Sequence, residues 1–96
     1  MTDDGVYARA YARALHGAAS ARHEASGVTE DVLALERQWN GSPELRRFCR
    51  SHQPGSPRNR ARSVEQLWGN TFTQTMLFFL AMLARRDHLG LLPLIT

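Results

Sequence analysis

The chain contains no lysine; all twelve of its basic residues are arginines. It has one cysteine, Cys49, which excludes a disulfide framework and a cysteine-based zinc site. No alternating run of valine and threonine occurs, so no strand is expected. The seven glycines fall singly, and none belongs to a GxxxxGK[ST] or GxGxxG loop that could cradle a phosphate. No apolar run approaches the roughly 18–20 residues of a membrane span, so direct membrane insertion is not expected. The opening Met1-Thr2-Asp3-Asp4-Gly5 carries acids without an apolar segment, unlike a signal or transit peptide.

Catalytic equipment is equally scarce. His16, His23, His52 and His88 are scattered, without an HExxH pair or a carboxylate cluster, which argues against a metal site. Asp3/Asp4 and Glu30/Asp31 sit at expected helix starts, where capping explains them. Cys49 falls where a short helix needs a small apolar residue. With no convergent titratable groups, the sequence reads as neither an enzyme nor a cofactor binder.

What is present is helix. At 43% hydrophobic and 22% charged, the chain is ordinary globular material, and residues 1–96 make one domain. Its centre is Met76-Leu77-Phe78-Phe79-Leu80-Ala81-Met82-Leu83-Ala84, apolar on every side. A surface helix shows one apolar stripe. This one needs cover all round, or leaves a flank for a second protein. Upstream, Asp3 or Asp4 caps an alanine-rich first helix expected to reach about Ser26 and stop at Gly27. Tyr7, Tyr11, Ala14 and Ala18 line one face of it, and Ala8, Ala12, Leu15 and Ala19 a neighbouring one. Thr29 is the expected cap of a second helix, with Val32, Leu35 and Trp39 inward and Asn40-Gly41 at its end.

Ser42-Pro43-Glu44 opens a short third helix burying Leu45, Phe48 and Cys49. After an irregular link through Gln53-Pro54-Gly55, Ser56-Pro57 opens a fourth, with Ala61, Val64, Leu67 and Trp68 inward. His88-Leu89-Gly90 turns the chain after the apolar helix, and Leu91–Ile95 starts a sixth. The expected fold is all-α, a compact bundle of five to six helices. Arg46, Arg47, Arg50, Arg58, Arg60 and Arg62 lie in a stretch without acids. That stretch reads either as solvated helix ends or as a phosphate-binding patch of a nucleic-acid-binding domain.

The order of these helices resembles a known family. Tyr11-Ala12-Arg13-Ala14-Leu15 is similar to the YAxAL signature of the delta subunit of F-type ATP synthases, whose mitochondrial relative is the oligomycin-sensitivity-conferring protein. Asn40–Phe48 resembles its NPEL-type third helix. Leu67-Trp68-Gly69 followed by Phe79–Ala84 resembles its fourth-helix ending and fifth helix, and Leu89–Ile95 the segment after it. His16, Phe78 and His88 depart from the pattern, standing where the family usually has an apolar or aromatic residue, an asparagine and an arginine.

The resemblance implies a six-helix bundle corresponding to the family's N-terminal domain, without the C-terminal domain that follows it. It also implies a static role in the peripheral stalk, on the cytoplasmic face of a bacterial inner membrane. There the domain grips the N-terminal helix of an alpha subunit between helices 1 and 5, while the C-terminal domain joins the b subunits. Those are the two helices with surplus apolar surface here. The groove walls are then expected to be Tyr7, Tyr11, Ala14 and Ala18 facing Thr75, Phe79, Met82 and Arg86. Both sets run at i, i+4, i+7, i+11. The same flank also suits a general helical adaptor or self-association.

Overall fold

The computed structural model describes residues 4–50 and 56–95, and of Asp4 only the backbone. The Asp3 cap, the Asp4 side chain, His52 and the link through Gln53-Pro54-Gly55 lie outside the described residues. Among the described residues, six α-helices run in order: α1 (Asp4–Ala21), α2 (Ala25–Gly41), α3 (Pro43–Arg50), α4 (Pro57–Trp68), α5 (Gln74–Arg85) and α6 (Leu92–Ile95). A 3-10 turn, Leu89–Leu91, precedes α6. The all-α bundle expected from the sequence is therefore borne out. The radius of gyration is 12.7 Å, close to the ~12–13 Å of a compact domain of this length.

Helix starts follow local chemistry. The Ser42 hydroxyl accepts from Leu45 N–H at 3.2 Å, and the Ser56 hydroxyl from Asn59 N–H at 3.2 Å. Pro43 and Pro57 supply the fixed φ of a first helical residue. Thr73 caps α5 by accepting from Met76 N–H at 3.2 Å. Each cap satisfies a donor the helix itself leaves orphaned.

The first helix ends earlier than its sequence suggests. It stops at Ala21, because His23 takes a left-handed φ of 57°. Glu24 N–H then donates back to the Ala19 carbonyl at 2.8 Å, closing a wrapped C-terminus. Gly27, expected to be the stop, lies in the first turn of α2. Its missing side chain has another use: a Cβ there would come 2.8 Å from the Thr73 methyl. Thr29 is not a cap, since its hydroxyl donates to the Ala25 carbonyl one turn back at 2.8 Å.

Asp31 likewise is no first-turn acid. It is buried within α2, and its carboxylate accepts Thr73 N–H at 2.8 Å. The Thr75 hydroxyl hydrogen-bonds to the Glu24 carboxylate. Glu24, just before α2, and Gly27 and Asp31 within it thus form one stripe that seats the start of α5.

The core gathers around α5, where Met76, Leu80, Leu83 and Ala84 are almost fully buried. From α1 come Ala8, Tyr11, Leu15 and Ala19, and from α2 Val28, Leu35 and Trp39. Val64 and Trp68 come from α4, with the Trp68 indole N–H held by Gln38 at 2.9 Å. Leu67, expected inward, is 48% exposed. Arg60 fastens α4 to the end of α5 by donating to the Ala84 and Arg85 carbonyls at 2.8 and 2.6 Å. Arg46 similarly donates to the Trp39 and Asn40 carbonyls, and Arg50 lies over the Trp39 ring. Arg46 and Arg60 are therefore committed to helix C-termini, where cations oppose the helix dipole, and Arg50 to a core ring.

Candidate functional site

The apolar helix α5 is not covered on all sides. Phe78 is 57% exposed, and Leu77, Ala81 and Met82 are half-buried. Between α1 and α5 this leaves a furrow of about 230 Å³, lined by Ala14, Leu15, Ala18, Arg22, Thr75, Phe78, Phe79 and Met82. Its shape follows from side-chain size. Ala14 and Ala18 are one turn apart and carry only a methyl each, so they leave the space beside Leu15 unfilled. Phe79 and Met82 form the opposite wall. Phe79 is only 6% exposed, its ring lying edge-on to Tyr11 with centroids 6.2 Å apart.

Five residues expected on the groove walls meet here: Ala14, Ala18, Thr75, Phe79 and Met82. Three expected members do not line the furrow. Tyr11 is buried, because its hydroxyl hydrogen-bonds to His88 Nδ1 at 2.6 Å and its ring packs on Phe79. Tyr7 is exposed and tilts against the His88 ring, with centroids 5.4 Å apart. Arg86 is exposed and serves as the cap residue beyond the last turn of α5. His88 therefore ties the turn after α5 to α1 through both tyrosines.

Leu15, Arg22 and Phe78 were missed. Arg22 sits one turn beyond Ala18, a spacing that was available in the sequence. The Arg22 guanidinium lies 5.6 Å from the Phe78 ring centroid, within cation–π range, and pairs with Glu24 at 3.4 Å. The furrow is thus apolar along its length with one cation at a rim. Among the described residues, no group of three histidine, cysteine or acidic side chains comes together as a metal would require.

Fold and furrow together define an all-helical domain that offers an apolar interhelical groove. The family model described as ATP synthase delta (OSCP) subunit matches residues 7–96, and the chain belongs to that family. No curated protein matches the chain, and no solved structure does. Membership makes it a peripheral-stalk subunit of ATP synthase, structural in role and associated with other subunits of that membrane-bound complex. No helix among the described residues is long and apolar enough to cross a membrane.

Proposed function

We propose that this domain holds the N-terminal helix of an ATP synthase alpha subunit in the α1–α5 furrow. It thereby anchors the catalytic head to the peripheral stalk, and the head does not turn with the rotor during proton-driven ATP synthesis. In a bacterial cell this puts it on the cytoplasmic face of the inner membrane. Contact with the b subunits belongs, on this reading, to the family's C-terminal domain. The observation that carries the proposal is the pairing of small residues on α1 with Phe79 and Met82 on α5 around an apolar slot. An amphipathic helix fits such a slot by inserting large residues between the alanines. Each anchor it buries contributes roughly 1.5–3 kcal/mol before ordering costs are subtracted, so several anchors are needed.

The test is calorimetric titration with a peptide of about 20–25 residues from the alpha-subunit N-terminus, long enough to form a stable bound helix. Phe79→Asp is a poor probe, because Phe79 is buried and its loss threatens the fold. Ala18→Glu is better, since Ala18 is exposed and lines the furrow. It should lower affinity by about tenfold or more while helical circular dichroism stays unchanged. Equal binding by the variant would refute the groove assignment.

A further inference from the structure

A second furrow, about 560 Å³ in volume, runs along the other flank of α5, between it and α4. Leu77, Phe78 and Ala81 of α5 contribute apolar lining, and Phe78 belongs to both furrows. Arg58 and Arg62, one turn apart on α4, and Arg85 in the last turn of α5 also line it. Unlike Arg46 and Arg60, these three side chains make no ion pair or hydrogen bond among the described residues. One carboxylate, Glu65, stands against them.

A slot of mixed lining, with an apolar strip flanked by one glutamate and three arginines that are unpaired among the described residues, has a definite complement. We propose that the α4–α5 furrow docks an acidic amphipathic helix, a second occupant beside the one in the α1–α5 furrow. The two helices bounding it have twelve residues each, about 18 Å of length at 1.5 Å per residue. That length accommodates roughly three turns of a partner. Leucine-like residues of the partner would cover Leu77, Phe78 and Ala81, and its flanking carboxylates would meet Arg58, Arg62 and Arg85. A single-stranded nucleic acid would satisfy the arginines and stack a base on Phe78, but it would leave Leu77 and Ala81 uncovered. That favours a peptide over a nucleic acid. Phe78 is the ridge between the two occupants, so neighbouring helices share one ring.

The test is amide chemical-shift mapping on the whole chain with three probes. The first is a synthetic helix of about 15–18 residues, a length that supports helix formation on docking, with leucine on one face and glutamate flanking it. The second replaces each glutamate by lysine, and the third is a single-stranded oligonucleotide. The acidic peptide should perturb amides from Arg62 to Gly69 and from Gln74 to Arg85. Arg58→Glu combined with Arg62→Glu should weaken it about tenfold or more, with the circular dichroism spectrum retained. Ala18→Glu, in the other furrow, should leave it unchanged. Equal binding of the lysine peptide, tighter binding of the oligonucleotide at the same amides, or indifference to the arginine reversals would each overturn the proposal. Because Ala18→Glu and the arginine reversals act on separate furrows, failure of one reading leaves the other to stand.

Discussion

Single residues set the limits of the helices here, and two of them do so in an unusual backbone state. His23 and Asp87 both have positive φ, 57° and 59°. Each follows the end of a long helix and lets the next amide donate back, Glu24 to Ala19 and His88 to Leu83, both at 2.8 Å. Left-handed backbone costs a residue with a Cβ roughly 1–2 kcal/mol, and glycine nearly nothing. His23→Gly should therefore stabilise the domain by about 0.5–1 kcal/mol after glycine's own entropy is counted. The check is a higher urea midpoint at unchanged slope. This position could not be read from the sequence. A glycine four residues later advertises a helix stop, yet tertiary contact with Thr73 uses that glycine for close packing.

Cys49 is the other residue with a measurable signature. It is 4% exposed, and burial pushes its thiol from 9.0 up to about 11. In the unfolded chain the thiol ionises first, so between those values the folded state holds more protons. Stability is unaffected below about pH 9 and falls as pH rises toward about 11. The fall should be shallower in Cys49→Ala, measured as the pH dependence of the thermal midpoint relative to the parent chain. Alkylation at neutral pH should be slow until denaturant is added. That Cys49 is a core residue was legible from its place in a short helix.

At the scale of elements, the start of α5 is the joint on which the bundle is assembled. Its cap, Thr73, accepts from Met76 N–H through its hydroxyl, while its own N–H is held by Asp31. Thr73→Ala should cost about 1 kcal/mol as the loss of a helix cap. Asp31→Ala should cost more, about 1.5–3 kcal/mol, because it strips a charged acceptor from a partly buried amide. The double variant should fall short of the sum, since both act on one helix terminus. Chemical denaturation of all three settles it. Caps made by serine–proline pairs were legible, because both signals are adjacent in sequence. The Asp31 contact spans 42 positions, and no local pattern marks it. An acid beside Glu30 looks like dipole complement until the helix start moves to Ala25.

For the whole molecule, the sequence made clear that α5 carries more apolar surface than one stripe, and that α1 has two small-residue faces. It could not show which flank stays open. That depends on where α1 sits around α5, and the Tyr11–His88 hydrogen bond fixes this by drawing Tyr11 inside. Tyr7 and Arg86 share a helical register with furrow residues but fall beyond its end, since register gives the face and not the length of a contact. An open furrow at Ala14 and Ala18, with rings packed together at Tyr11 and Phe79, is a three-dimensional property.

The most direct measurement is intermolecular nuclear Overhauser contacts between the isotope-labelled domain and the unlabelled alpha-subunit N-terminal peptide. Seating in the furrow predicts contacts from peptide side chains to the Met82 methyl, the Phe79 ring and the methyls of Ala14 and Ala18. Contacts elsewhere on the bundle, such as Leu33 and Ile95 on the face between α1 and α2, with those four silent, would contradict it.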